Sequence, residues 1–240
     1  MDQNKFDYNS INPGYYDRIF HQRKGIQSKW HHLKFSHVQS LLGDYGDHLD
    51  IGCGPGTFIG LLDENKRSIG VDVSALQIAY ANQHYGTPVH KFVPVTDNEP
   101  LPFSEESFDV ITIIEVIEHL SWPVIITMLK KAYQLLKKEG RLIITTPNYR
   151  SLWPVIEFVI NKTKPVTYED QHISKFNKKK LKEIFKECCF SDYQISKFLL
   201  TAPFTAALGW NFADRIAALE PQWLKNCGGL LLMSEVRKIA

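Results

Sequence analysis

Leu49-Asp50-Ile51-Gly52-Cys53-Gly54-Pro55-Gly56 runs from a β-prone stretch into a glycine turn, and Ile69-Gly70-Val71-Asp72 ends the next apolar run on an acid. Together they describe a strand, a glycine loop, a helix and a second strand with a carboxylate at its carboxyl end. In open α/β sheets a nucleoside lies at that edge, its ribose hydroxyls held by the acid. Gly52 and Gly54 allow the backbone a close approach to a ligand. The spacing departs from the dinucleotide fingerprint G-x-G-x-x-G, because Thr57 stands at its third glycine position and Pro55 removes an amide from the turn. Such a loop suits a nucleoside without a diphosphate, which argues against an NAD-dependent oxidoreductase. Asp50 repels phosphate and attracts an ammonium or sulfonium group.

Outward from this loop, strand and helix alternate, the pattern of a doubly wound α/β sheet. Residues 12 to 44 read as helical, with Gly43 as a stop signal. Strands are expected at 48–51, ending at Asp72, at 89–95, at 108–114, at 141–146, near 192–197 and at 230–237. Phe108 to Ile114 is a continuous β-branched run, as in a parallel strand buried on both faces. Ser74 is placed to cap a helix reaching His84, and further helices are expected at 123–137 and 175–189. Residues 149–172 and 199–228, rich in Trp, Phe, Leu and Pro, stand outside the alternation. At least the first leaves the sheet at its ligand-binding edge, where long inserts commonly serve as lids.

Four segments, in order, resemble the class I S-adenosylmethionine-dependent methyltransferases. Leu49 to Phe58 resembles motif I. Val71-Asp72-Val73-Ser74, then Asp97 through Leu120, then Leu135 through Leu142 resemble the motifs that follow. The likeness covers residues 45 to 150 well and 170 to 198 moderately. It implies a Rossmann-like sheet of seven mostly parallel strands with the last antiparallel, N-terminal helices and lid inserts. The expected organisation is one domain over 1–240. A helical cap occupies 1–44 and a donor-binding core 45–150, with acceptor-pocket inserts at 151–173 and 199–228.

The resemblance also implies S-adenosylmethionine as methyl donor. Asp72 is then expected on the ribose with Val73 beside it, and Asp97 on the adenine amino group with Thr96 and Asn98 alongside. Gly52 and Gly54 would meet the methionine moiety, Asp50 its ammonium, and Glu115 would face the same cleft. Transfer to a hydroxyl needs a base or a metal to deal with its proton, which draws attention to Glu115-Val116-Ile117-Glu118-His119. Continued as a helical turn, residues 115, 118 and 119 share one face. They then offer either a base, His119, or a metal site of Glu115, Glu118 and His119. The segment resembles the E-x-x-E-H of two divalent-ion enzymes, the ubiquinone-biosynthesis O-methyltransferases and the small-RNA 2′-hydroxyl methyltransferases. His172 matches their downstream histidine and is a second candidate base. His31, His32, Arg18, Tyr15 and Tyr16 are polar or aromatic enough to line a pocket, but nothing in the sequence selects among them.

The chain has 240 residues, 44% hydrophobic and 22% charged, with a formal charge of +2, ordinary for a globular protein. Six lysines between Lys175 and Lys186 are interspersed with Glu183 and read as a solvated helix face. Without a basic aromatic platform, RNA is the weaker acceptor class. The expected acceptor is a small phenolic, sugar or lipid-linked hydroxyl compound, favoured by the apolar inserts. A non-catalytic or regulatory S-adenosylmethionine-binding protein and a metal-dependent RNA 2′-hydroxyl methyltransferase stay open. The four cysteines have no framework spacing, the first residues carry no signal peptide, and no run reaches the ~20 apolar residues of a membrane span. The expected location is the cytoplasm, with peripheral contact to a membrane left open. Oligomeric state is not legible.

Overall fold

The computed structural model describes residues 10–96, 99–163 and 171–239. Seven strands, β1 (Asp47–Ile51), β2 (Arg67–Asp72), β3 (His90–Pro94), β4 (Phe108–Ile114), β5 (Leu136–Pro147), β6 (Tyr193–Phe198) and β7 (Leu231–Arg237), form one sheet in the order β3-β2-β1-β4-β5-β7-β6. The pairs among β1 to β5 are parallel, and β7 runs antiparallel to both β5 and β6. This is the doubly wound, mostly parallel sheet expected from the alternation. β6 therefore points the same way as β5, so the segments after both strands emerge at one edge.

Burial on both faces explains why β4 is apolar throughout. Ile111 and Ile113 pack against α4 (Trp122–Leu135) and α6 (Lys178–Glu187) through Leu129, Leu135, Leu181 and Phe185. Val110 faces the other side, where α2 (Gly25–Leu42) and α3 (Ala75–Tyr85) contribute Val38, Leu42, Ile78 and Ala81. The period of two within a continuous apolar run thus feeds two separate cores. Ser74 caps α3, its Oγ accepting from Gln77 N at 3.4 Å.

Three boundaries differ from the sequence expectation. The N-terminal helical stretch is two helices, α1 (Tyr15–His21) and α2, broken where Arg23 and Gly25 take φ of 47° and 77°. α6 starts at Lys178 because Asn177 Oδ1 accepts from the amides of Lys179 and Lys180, at 2.9 and 3.2 Å. β5 begins at Leu136, with a register shift that pairs Phe108 with Leu136 but Val110 with Arg141. Lys137 draws this segment to the sheet, donating to Asp47 at 2.9 Å and Asp109 at 3.0 Å.

α1 is pinned onto the sheet side of the molecule by a single buried acid. Asp17 accepts from Thr57, at the end of the glycine loop, at 2.8 Å, and from Tyr80 and Tyr85 of α3 at 2.8 and 2.5 Å. Gln77 holds the preceding backbone, donating to Ile11 O at 3.1 Å and accepting from Gly14 N at 3.0 Å. The two apolar inserts fold as α5 (Trp153–Thr163) and as α7 (Ala202–Thr205), α8 (Trp210–Leu219) and α9 (Gln222–Gly228). Buried Lys29 of α2 fastens α8, with its Nζ 2.8 Å from Asp214 Oδ1 and 3.8 Å from the Trp210 ring centroid. Among the described residues no helix is long and apolar enough to cross a membrane.

Candidate functional site

A cavity of about 1520 Å³ opens along the carboxyl edge of the sheet. One half is walled by the glycine loop, Asp50, Asp72, Val73 and Thr96, with Ile11 and Tyr16 from the N-terminal segment. The other half is apolar, walled by Trp30, Trp153, Ile156, Val159, Ile160 and Phe204. Glu115, Glu118, His119 and His172 line the same cavity. Asp97 and Asn98 lie outside the described residues.

The two glycines named from the loop have different reasons to be glycine. Gly52 takes φ 78°, and a Cβ there would run into the Val116 side chain. Its small size therefore serves packing against the segment after β4. Gly54 takes φ 52°, and nothing lies within 4 Å of where its Cβ would be, so its bare backbone faces open cavity. Gly54→Ala is accordingly expected to lower stability only by the left-handed backbone cost of about 1–2 kcal/mol, read by thermal unfolding. The added methyl projects into the space a ligand would occupy, so nucleoside-ligand affinity should fall disproportionately. Unchanged affinity would remove Gly54 from the binding surface.

Asp72 sits at the end of β2 with one oxygen accepting from Gly54 N and the other from Ser74 N, each at 2.8 Å. Burial raises its carboxyl above the usual range, against the pull of the Ser74, Gly54 and Val73 amides. Asp50, on β1 between Gly70 and Thr112, is more deeply buried. Burial raises it to about 7, with nearby Asp72 adding to the effect and the Thr112 hydrogen bond and Lys34 opposing it. Thr112 Oγ1 donates to Asp50 at 2.6 Å and is itself 2.9 Å from His48 Nε2. Burial lowers His48 to about 3, so its imidazole is neutral. With Nε2–H donating to Thr112, the threonine proton is directed at Asp50.

The expected helical turn after β4 does not form. Glu115 takes φ 57°, and only Ile117–His119 makes a short 3-10 turn. Positions 115, 118 and 119 therefore do not share a helical face. Glu115 turns toward Lys34, 3.9 Å away, and Thr145, whose Oγ1 is 3.2 Å from its Oε1. The group whose ligand atoms lie within 4.8 Å of one another is Glu118, His119 and His172, so His172 stands where the helical-turn reading put Glu115. Glu118 accepts from Thr146 Oγ1 at 2.9 Å, and burial, then Glu115, push its carboxyl well up.

The two histidines are held differently. His119 Nδ1 is 3.0 Å from Gln171 O, a carbonyl that can only accept, so the proton sits on Nδ1. Burial, then His172, lowers His119 to about 4, leaving it neutral. His172 Nδ1 lies 2.5 Å from Glu157 Oε1 of α5, and the Tyr149 hydroxyl donates to the same oxygen at 2.7 Å. Burial pushes Glu157 up, but the His172 and Tyr149 hydrogen bonds outweigh it and hold the carboxyl below its usual range. Trp153 of α5 packs on Trp30 of α2, ring centroids 5.3 Å apart, closing the wall between the inserts and the cap.

Of the other polar groups near the N-terminus, His31 and Tyr16 line the cavity. Burial, then Lys34 and His32, keeps His31 well below its usual range. His32 instead stacks on Phe20 at 3.8 Å and bonds Phe20 O, while Arg18 donates to Pro13 O at 2.7 Å. The sequence reading passed over Lys34, Tyr149, Glu157 and Gln171. Glu157 had a usable signal, as the only acid between Glu139 and Glu169, within an apolar helix.

A methyltransferase-domain family profile matches residues 21–194. The mitochondrial ubiquinone biosynthesis O-methyltransferase of Mus musculus is 34% identical over 115 residues, covering 43% of the chain and 29% of that protein. The Haemophilus ducreyi ubiquinone biosynthesis O-methyltransferase is 30% identical over 125 residues, covering 48% of the chain and 52% of that protein. The chain thus spans about half or less of these curated relatives. A Thermotoga maritima S-adenosylmethionine-dependent methyltransferase, described as a possible histamine N-methyltransferase, superposes with a TM-score of 0.70 at 19% identity, covering 96% of the chain and 97% of its own.

Proposed function

Because the chain belongs to the methyltransferase-domain family, as a class I S-adenosylmethionine-dependent methyltransferase, we propose that it methylates a hydroxyl of a small apolar acceptor. When bound, S-adenosylmethionine supplies an electrophilic methyl group on a sulfonium that leaves as a neutral thioether. Asp72 would accept the ribose hydroxyls and Asp50 the ammonium, with Gly52, Gly54, Val73 and Thr96 lining the pocket. The fit rests on the bare Gly54 backbone facing open cavity and on a buried and a half-buried acid, Asp50 and Asp72, at adjoining strand ends. A neutral leaving group needs no acid, so the chain's task is to align the reactants and remove one proton.

His172 is the base we assign, taking the acceptor proton as the oxygen–methyl bond forms. The observation that carries this is its contact with the Glu157 carboxylate, which steadies the imidazolium that forms. His119 is neutral, but its partner is a carbonyl and its surroundings disfavour charge. The apolar half of the cavity and the exposed Val124, Val155, Val159 and Ile173 along its wall support a hydrophobic or lipid-linked acceptor.

The test is transfer of labelled methyl into an extract of the source organism, separated into lipid, small-molecule, protein and nucleic-acid fractions. Label in the lipid or small-molecule fraction is expected. Label in RNA would replace the acceptor class, and donor binding without transfer would favour a regulatory role.

A second reading is favoured by the closeness of Glu118, His119 and His172. Two imidazoles and a carboxylate fit a divalent ion, and those residues would hold it where it could polarise an acceptor oxygen. Full turnover in chelator is the result expected from the base alone. Loss of turnover in chelator, restored by a divalent ion, would replace it by the metal reading.

The electrostatics of Asp50 make donor affinity pH-dependent. Its carboxyl is raised to about 7, whereas an ammonium favours the ionised form. Donor binding therefore releases a proton below pH 7, and affinity strengthens by up to about tenfold per pH unit as pH rises toward that value, then levels off. Asp50→Asn should flatten this dependence in a calorimetric pH series. A wild-type series already flat would remove the ammonium contact.

A further inference from the structure

We propose that Glu157 is the positioning residue for His172, and that α5 thereby couples the acceptor wall to the orientation of the base. The proposal deepens the reading of His172 given above and rests on it.

A carboxylate on a helix that otherwise presents Ile156, Val159 and Ile160 to an apolar cavity costs free energy unless it is hydrogen-bonded. Glu157 is buried there and satisfied by two donors on one oxygen, the Tyr149 hydroxyl and His172 Nδ1. An ionised carboxylate only accepts. The Tyr149 hydroxyl also lies 2.8 Å from His172 Nδ1, and because its proton goes to Glu157 it can only accept from that nitrogen. Glu157 therefore fixes the His172 proton on Nδ1, directly and through Tyr149, and makes Nε2 the basic nitrogen. The ring is tilted by 53° from that of His119, centroids 5.0 Å apart, so the pair share one corner of the cavity. An imidazole without such a partner exchanges its proton between the two nitrogens and turns about its side-chain bonds.

The coupling follows from where Glu157 sits. One helix carries both the apolar wall an acceptor would press against and the carboxylate that sets the base. A shift of α5 away from the cavity withdraws Glu157 from His172, whereas an acceptor that seats α5 restores the bond. The base is then correctly oriented only when the wall is in place, a form of substrate-assembled active site. The donor half of the cavity is formed by other elements, so Glu157 should leave donor binding untouched.

The test compares wild type, Glu157→Gln and Glu157→Asp as full chains uniformly labelled with ¹⁵N-histidine, using His172→Gln to assign the signals. In wild type His172 should show a protonated Nδ1 and an unprotonated Nε2. Glutamine is isosteric but can donate as well as accept, so Glu157→Gln should mix the two tautomers. Glu157→Asp, which keeps the carboxylate, should recover much of the wild-type signature. With a methyl acceptor, Glu157→Gln should lower kcat by about 100-fold and leave donor affinity within about twofold, with Glu157→Asp intermediate. Donor titration of each variant checks that it has folded. A His172 signature identical in wild type and Glu157→Gln would overturn the proposal, as would equal kcat values. A tautomer shifted by Glu157→Gln, alongside a wild type that methylates no acceptor, would leave the positioning role standing and remove the base reading alone.

Discussion

Asp72→Ala is expected to weaken binding of S-adenosylmethionine by about 10²- to 10⁴-fold while leaving the protein folded. Each hydrogen bond from a ribose hydroxyl to a charged carboxylate contributes about 1.5–3 kcal/mol, and two such bonds convert to that range of affinity. The same side chain ties Gly54 N and Ser74 N, so alanine also slackens the loop that forms the pocket floor. Asp72→Asn separates the two effects. It keeps one acceptor oxygen and removes the charge, and should fall between wild type and alanine. Calorimetric titration gives the affinities, and thermal unfolding monitored by circular dichroism checks the fold. The carboxylate is buried at a cost, so stability should change little. An affinity within about threefold of wild type would place the donor elsewhere.

His172→Gln carries the second large effect, a fall in kcat of about 10²- to 10⁴-fold, the usual contribution of a positioned base. Glutamine approximates the imidazole in size and can still donate to Glu157, but it takes no proton at neutral pH. Donor affinity should therefore hold while single-turnover methylation slows. His119→Gln, at a residue bonded to a backbone carbonyl and lowered to about 4, should cost about tenfold less than His172→Gln. Equal losses at the two positions would point to joint action, as in a shared metal site. A near-normal rate for His172→Gln would exclude it as the base.

What the chain disclosed in advance follows from the range of the interactions. Gly52, Gly54, Asp72 and Ser74 were legible because a strand, a turn and a cap are written within a few neighbouring residues. The central parallel strands were legible because a buried parallel strand such as β4 requires a continuous apolar run. The cap at Asn177 is equally local, but the helical lysines around it masked the start of α6. The segment after β4 misled because its E-x-x-E-H spacing invites a helix, while Glu115 in a left-handed conformation starts a tighter turn. Glu157 and His172 are 15 positions apart and meet only through tertiary packing. His48, Thr112 and Asp50 meet only because β1 and β4 are neighbours. No periodicity encodes such pairs.

The pinning of α1 by Asp17 has a kinetic consequence. Ile11 and Tyr16 roof the donor half of the cavity, and Asp17 and Gln77 fasten that roof to the glycine loop and α3. If the roof stays fastened through turnover and the donor enters by way of the acceptor compartment, the order of binding is constrained. An enzyme built so follows a compulsory order, with donor entering before acceptor and spent donor leaving last. Product inhibition by the spent donor is then competitive toward the donor, and slow escape past an occupied front compartment makes excess acceptor self-inhibiting.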